Sequence, residues 1–209
     1  MPADTHFNSA KSTSIRMGKE SLNLPNLVTV SRLALAVVLF ALIDSGQWWI
    51  TSSFLFVFAA STDALDGWLA RRFGQVTRLG RILDPFVDKI IVGGAFLFLL
   101  AADGARSSGV TAWMVIIVIG REMFVSSLRG FLEQHDHDFS ANFTGKAKMV
   151  IQCMAITVAL ISLAPEQDWP MLIQFRDVLL WLAVGVTIWS GAVYIVRGVR
   201  LLNQAAPAE

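Results

Sequence analysis

Six stretches of this chain are each long and apolar enough to be read as crossing a lipid bilayer. No other feature of the sequence restricts the fold as strongly. A bilayer's hydrocarbon core is spanned by about 20 mostly apolar helical residues. The candidate spans cover residues 27–43, 49–70, 82–102, 111–131, 145–163 and 178–199. The connections 44–48, 103–110 and 164–177 carry turn formers, and Trp48 and Trp169 suit a membrane–water interface. Composition agrees: 55% of residues are hydrophobic and 16% charged, against about 25% charged in an ordinary soluble domain. Fourteen Phe and seven Trp fit a lipid-facing surface with interfacial anchors. A disordered, collagen-like or disulfide-stapled chain is excluded. Cys153, the single cysteine, sits in an apolar run and reads as a small buried hydrophobe. A net charge of +1 gives no argument for a nucleic-acid partner. The expected fold is all-α, a polytopic membrane protein with a bundle of six transmembrane helices.

Three segments follow. Residues 1–21 form a polar N-terminal tail without the apolar core or cleavage site of a secretory signal, and 15–24 could form a short interfacial helix. Residues 22–201 form the six-helix domain, and 202–209 a C-terminal tail. No internal repeat of fixed period is visible. Basic residues set the orientation. Lys11, Arg16, Lys19 and Arg32 lie at or before the first span. Arg71, Arg72, Arg78, Arg81 and Lys89 cluster where the second span meets the third. Arg129, Lys146 and Lys148 flank the fourth connection, and Arg197 and Arg200 end the sixth span, with only Arg106 and Arg176 on the other side. Both termini are therefore expected in the cytoplasm.

Several charges nevertheless fall inside spans. Asp63, Asp66, Asp84, Asp88 and Lys89 lie in the cytoplasmic ends of the second and third, and Arg32, Arg121 and Glu122 in the first and fourth. Each costs at least about 2.5–3.5 kcal/mol at membrane depth, so these groups are expected to face one another, a metal ion or a polar substrate. Asp63, Asp66, Gly67 and Ala70 are spaced to share one helical face, as are Gly80, Asp84 and Asp88. Four carboxylates brought together would repel one another strongly in a low dielectric. Divalent ions are their natural counter-charge, and hard oxygen ligands favour Mg²⁺, Mn²⁺ or Ca²⁺. Two such ions can clamp a pyrophosphate and stabilise the attacking and leaving oxygens of a phosphoryl displacement. The plainer alternative is a set of helix-end carboxylates paired with Arg71, Arg72, Arg78 and Arg81.

The eight residues Asp63, Asp66, Gly67, Ala70, Arg71, Gly80, Asp84 and Asp88 match D-x2-D-G-x2-A-R-x8-G-x3-D-x3-D at every fixed position. This resembles the signature of the CDP-alcohol phosphatidyltransferases. The resemblance implies an integral membrane enzyme of six helices, usually a homodimer, in which an alcohol attacks the β-phosphate of a CDP-linked lipid and CMP leaves. Carried over, it implies that Asp63, Asp66, Asp84 and Asp88 ligate two Mg²⁺ or Mn²⁺ ions and that Asp88 is also the general base. Asp66, Gly67, Ala70, Arg71 and Gly80 would cradle the CDP group.

Further segments resemble family members that use glycerol 3-phosphate as the acceptor. They are Leu24–Arg32, Gly120–Met123 with Ser126, Leu128 and Arg129, Thr144–Lys148 with Gln152, and Trp189–Gly191 with Tyr194. The match departs at Met149, where Thr commonly follows the second lysine. The small dianionic acceptor needs fixed cations, and Arg121, Lys146, Arg129 and Lys148 are the candidates for its phosphate. Arg121 could instead pair with Glu122 or an aspartate. Asn26, Thr29 and Arg32 are candidates for the substrate pocket. The expected reaction joins CDP-diacylglycerol and glycerol 3-phosphate on the cytoplasmic face of a bacterial-type inner membrane, with the acyl chains left in membrane lipid.

Rival readings are another acceptor (inositol phosphate, serine or a further headgroup alcohol) and, more remotely, an ion transporter using the intramembrane carboxylates. No broken helix or inverted repeat supports the transporter. The run His135, Asp136, His137, Asp138 reads as a solvated loop, because two His at i, i+2 without a third ligand make a poor metal site.

Overall fold

The computed structural model describes residues 24–73, 78–102, 107–133, 143–167 and 169–205, leaving out the side chains of 24–28, 63–73, 78–85, 133, 143–144 and 202–205. Every regular element among the described residues is an α-helix. In chain order they are α1 (Leu24–Asp44), α2 (Trp49–Phe73), α3 (Arg78–Ala101), α4 (Ala112–Glu133), α5 (Phe143–Ser162) and α6 (Pro170–Ala205). Each expected span falls mostly or wholly within one helix. The run from His135 to Asp138 lies outside the described residues.

The largest difference from expectation is in α6. It starts at Pro170, where a proline costs the first turn no hydrogen bond, and it runs past residue 201 to Ala205. The sequence places 164–177 in a connection that carries turn formers, whereas the helix already begins at Pro170. In the structure Arg176 is buried, and its charge is met by Asp177 at 2.8 Å, so the helix keeps both. By length and apolar character, Gly145–Ser162 and Pro170–Leu201 are the described stretches that can cross a membrane.

Contacts between helices arrange the six as a closed ring in the order α1, α2, α5, α6, α4, α3, with α3 also touching α2 and α5. Short connections make successive helices run in opposite directions. The C-terminal end of α2, the N-terminal ends of α3 and α5 and the C-terminal halves of α4 and α6 therefore share one end of the ring. Small and large apolar groups alternate in the centre: Ala36 and Leu39, Phe56 and Ala59, Ala95 and Phe96, Ala155 and Ile156, Ala183 and Val184 are all buried. Alanines at such contacts let helix backbones approach closely. The aromatic pair Phe40 and Phe98 stacks between α1 and α3 with centroids 4.8 Å apart. Phe96 and Leu99 belong to this core. Large apolar side chains also cover the outside, with Phe54 73%, Trp113 75% and Met171 83% exposed. An outer surface of this kind suits lipid rather than water.

The end of the ring away from the aspartates is tied by Arg176. Its Nη1 donates to the Ser107 carbonyl at 2.7 Å and to Ser162 Oγ at 3.3 Å, and its Nε donates to Asp177 Oδ1 at 2.8 Å. Gly109 beneath it has φ +76°, and a Cβ there would lie 2.8 Å from both Arg176 Nε and Asp177 Oδ1. Both the backbone angle and the space require glycine.

Candidate active site

Asp63 and Asp66 fall in α2, and Asp84 and Asp88 in α3. Both halves of the motif are therefore helical, and the spacing within each half spans about one turn. These two helices touch in the ring. The side chains of Asn26, Asp63, Asp66, Gly67, Ala70, Arg71, Gly80 and Asp84 lie outside the described residues. Asp88 is described: it is half-buried and forms an ion pair with Arg32, a buried residue of α1. Thr29 is also buried, three residues before Arg32 and on the same face of α1. The structure thus brings together Arg32, read from sequence as a pocket residue, and Asp88, read as ligand and base.

A second cluster joins α4, α5 and α6. Glu122 Oε1 accepts from Arg121 Nη1 at 2.9 Å and from Lys148 Nζ. Arg121 Nη2 donates to Ser190 Oγ at 2.6 Å. The Arg121 guanidinium lies 5.4 Å from the Tyr194 ring centroid, and that of Arg129 lies 6.0 Å from the same ring. An aromatic face attracts cations at these distances, so Tyr194 lets two guanidinium groups share one neighbourhood. Nε of Arg121 and Nε of Arg129 are both buried without a hydrogen-bond partner among the described residues.

Two glycines make room for this arrangement. A Cβ on Gly191 would sit 3.2 Å from Arg121 Cγ, and one on Gly145 would sit 3.3 Å from the Tyr194 hydroxyl. One layer deeper, Gln152 Nε2 donates to Thr187 Oγ1 at 2.8 Å and fixes α5 against α6.

Of the four cations proposed from sequence for the acceptor phosphate, Arg121 and Lys148 meet at Glu122, and Arg121 and Arg129 meet at the Tyr194 ring. Lys146 is exposed and is not one of the cations bonded to Glu122. The sequence places Glu122 among the intramembrane charges and offers it as an alternative partner of Arg121, but no spacing shows that it also holds Lys148. It used Ser190 and Tyr194 only as marks of resemblance. Their spacing of i, i+4, and the fact that Tyr194 is the chain's single tyrosine, were the signals that pointed to one polar face of α6.

Between α2 and α5 the ring has an apolar groove of about 480 Å³, lined by Phe56, Ala60, Ser61, Met149, Cys153 and Thr157 among others. Cys153 is half-buried in its wall. Ala60 and Ser61 precede Asp63 by less than one turn, and Met149 follows Lys148, so one end of the groove meets the polar region.

The motif's donor set fits a hard divalent cation: four carboxylates on two touching helices, with no thiolate or imidazole among them. Among the described residues alone, no three potential ligands come together.

Residues 22–189 match the family model described as CDP-alcohol phosphatidyltransferase. A Bacillus subtilis (strain 168) protein named CDP-diacylglycerol–glycerol-3-phosphate 3-phosphatidyltransferase is 34% identical over 197 residues, covering 87% of this chain and 97% of the relative. A protein of the same name from Pseudomonas fluorescens is 32% identical, covering 83% of this chain and 89% of its own length. Another, from Rickettsia bellii (strain RML369-C), is 31% identical, covering 82% and 93%.

Proposed function

The chain belongs to the CDP-alcohol phosphatidyltransferase family, and on that premise we propose that it transfers the phosphatidyl group of CDP-diacylglycerol to glycerol 3-phosphate. The products are phosphatidylglycerophosphate and CMP, and the role is in phospholipid biosynthesis. The relatives' names support both substrates. The observation that favours a phosphorylated acceptor is the cation group carried by α4 and α5 and packed against Ser190 and Tyr194 of α6. Among the described residues of this group, Arg121, Lys148 and Arg129 set three positive charges against the single negative charge of Glu122. The excess suits a phosphate monoester, which carries about −1.5 to −2 at neutral pH. An uncharged alcohol such as glycerol or free inositol offers nothing to balance it.

Asp63, Asp66, Asp84 and Asp88 would hold two Mg²⁺ or Mn²⁺ ions, which when bound neutralise the diphosphate and acidify the attacking hydroxyl. Gly67, Ala70, Arg71 and Gly80, with Asp66, form the CDP cradle. Asp88, positioned by Arg32, takes the proton of the 1-hydroxyl of glycerol 3-phosphate. The hydroxyl oxygen then bonds to the β-phosphorus, the bond from that phosphorus to the CMP oxygen breaks, and CMP departs. Arg121, Lys148 and Arg129 meanwhile hold the acceptor phosphate, with exposed Lys146 at its approach. Asn26 and Thr29 complete the pocket on α1.

The groove between α2 and α5 receives one acyl chain of the donor. On α5 it runs from Met149 to Val158, about 14 Å at ~1.5 Å per residue. That is about half of a ~30 Å hydrocarbon core, the depth of one leaflet.

In this reading all six helices span the inner membrane, with both termini and the site on the cytoplasmic side, where the basic residues gather. It includes a homodimer, as the family implies, for which the apolar outer faces of the ring supply surface. The test is CMP release by purified protein supplied with CDP-diacylglycerol, glycerol 3-phosphate and Mg²⁺ or Mn²⁺. Release is expected from the wild type and is abolished in Asp88→Asn. Full turnover in that variant would remove Asp88 from the base role.

A further inference from the structure

Resting on the acceptor reading above, we propose that Glu122 is the internal counter-ion of the acceptor site's cations, from which the acceptor's phosphate displaces it. Glu122 uses one oxygen, Oε1, for both Arg121 Nη1 and Lys148 Nζ. The two cationic side chains are only 11% and 6% exposed, and that of Glu122 is 20% exposed. Two cations this deeply buried and this close need a neighbouring anion, and among the described residues Glu122 is the one that they touch.

A phosphate also draws on N–H groups that Glu122 leaves over. Arg121 has five N–H donors and Lys148 three. Glu122 takes one from each and Ser190 takes one more, while Arg121 Nε–H and Arg129 Nε–H meet no partner among the described residues. An anion carrying three acceptor oxygens can collect these donors, whereas the carboxylate oxygen cannot. Phosphate and Glu122 therefore compete for the same two cations. Glu122 keeps the cations in place between turnovers and limits how tightly a phosphate is held. The limit matters because the lipid product retains the same phosphate monoester and has to leave.

This competition predicts a sign that a merely structural ion pair does not give. In Glu122→Gln the empty site loses its anion, so the protein melts at a lower temperature without ligand. The competitor is also gone, so the glycerol 3-phosphate concentration that half-saturates the rise in melting temperature falls by about tenfold, or ~1.4 kcal/mol. Glu122→Asp retains the charge but withdraws it by one methylene, and shifts both readings the same way by less. This second variant keeps the test available if the first fails to fold. The experiment is a thermal melt of the full-length protein in detergent at constant ionic strength, titrated with glycerol 3-phosphate or, as control, glycerol. If glycerol 3-phosphate stabilises the wild type but the variants bind it no more tightly, the counter-ion role is wrong and the acceptor site stands. If it stabilises neither the wild type nor the variants, the acceptor site itself is wrong and the inference falls with it.

Discussion

Arg121 makes three different contacts: an ion pair with Glu122, a hydrogen bond to Ser190 and an approach to the face of Tyr194. A lysine cannot reproduce them, because an ammonium has neither the planar fork nor the second nitrogen that reaches Ser190. Each hydrogen bond to a charged group contributes about 1.5–3 kcal/mol. Arg121→Lys should therefore raise KM for glycerol 3-phosphate about 10- to 100-fold while leaving KM for CDP-diacylglycerol unchanged, as steady-state CMP release would show. Equal loss for both substrates would place Arg121 in the frame of the site rather than at the acceptor. Gly191 belongs to the same scale. A side chain there meets Arg121 Cγ at 3.2 Å, so Gly191→Val is expected to shift the guanidinium and weaken the acceptor in the same selective way.

At the scale of elements, the two halves of the site were not equally legible. The aspartate pairs are local: their spacing carries the helical period, and α2 and α3 are the helices that it implies. The cation group is not local. Glu122 and Lys148 are 26 residues apart, and Arg121 and Ser190 are 69 apart. Only the order of helices around the ring brings them together, and no spacing encodes that order. The start of α6, placed in a connection because of its turn formers, is likewise held by non-local contacts: the partners of Arg176 in the Ser107 segment and in α5 are distant in sequence.

Two predictions belong here. Arg176→Leu leaves the Ser107 carbonyl without its donor and loosens the tie between α6 and the α3–α4 connection. The expected cost is about 1–3 kcal/mol, read as a lower melting temperature with KM for both substrates unchanged. In the α2–α5 groove, Cys153→Trp fills volume needed by an acyl chain. Excluding two methylenes at about 0.8 kcal/mol each should raise KM for long-chain CDP-diacylglycerol by about tenfold and leave a short-chain analogue unaffected. Equal effects on both donors would remove the acyl chain from the groove.

For the whole molecule, the shortage of charge takes on its meaning from placement. Apolar faces surround the ring, and besides Arg176 with Asp177 at the far end the charges of its described interior lie in two sets: Arg32 with Asp88, and Arg121, Arg129 and Lys148 with Glu122. In the proposed reaction the first set serves the nucleotide-linked donor and the second the phosphorylated acceptor. As proposed, the donor half would depend on divalent cations held by the four aspartates. Chelation with EDTA should abolish CMP release, and added Mg²⁺ or Mn²⁺ should restore it. Activity that survives chelation would rule out the metal assignment for the four aspartates. The acceptor half decides which lipid is made, and one measurement reaches it directly. Purified protein is given CDP-diacylglycerol, the divalent ion and, in separate reactions, glycerol 3-phosphate, glycerol, serine, inositol and inositol phosphate. The lipid products are then identified by mass. The account predicts phosphatidylglycerophosphate from glycerol 3-phosphate and no new lipid from the unphosphorylated alcohols. A product from inositol phosphate, serine, glycerol or inositol, with none from glycerol 3-phosphate, would contradict it.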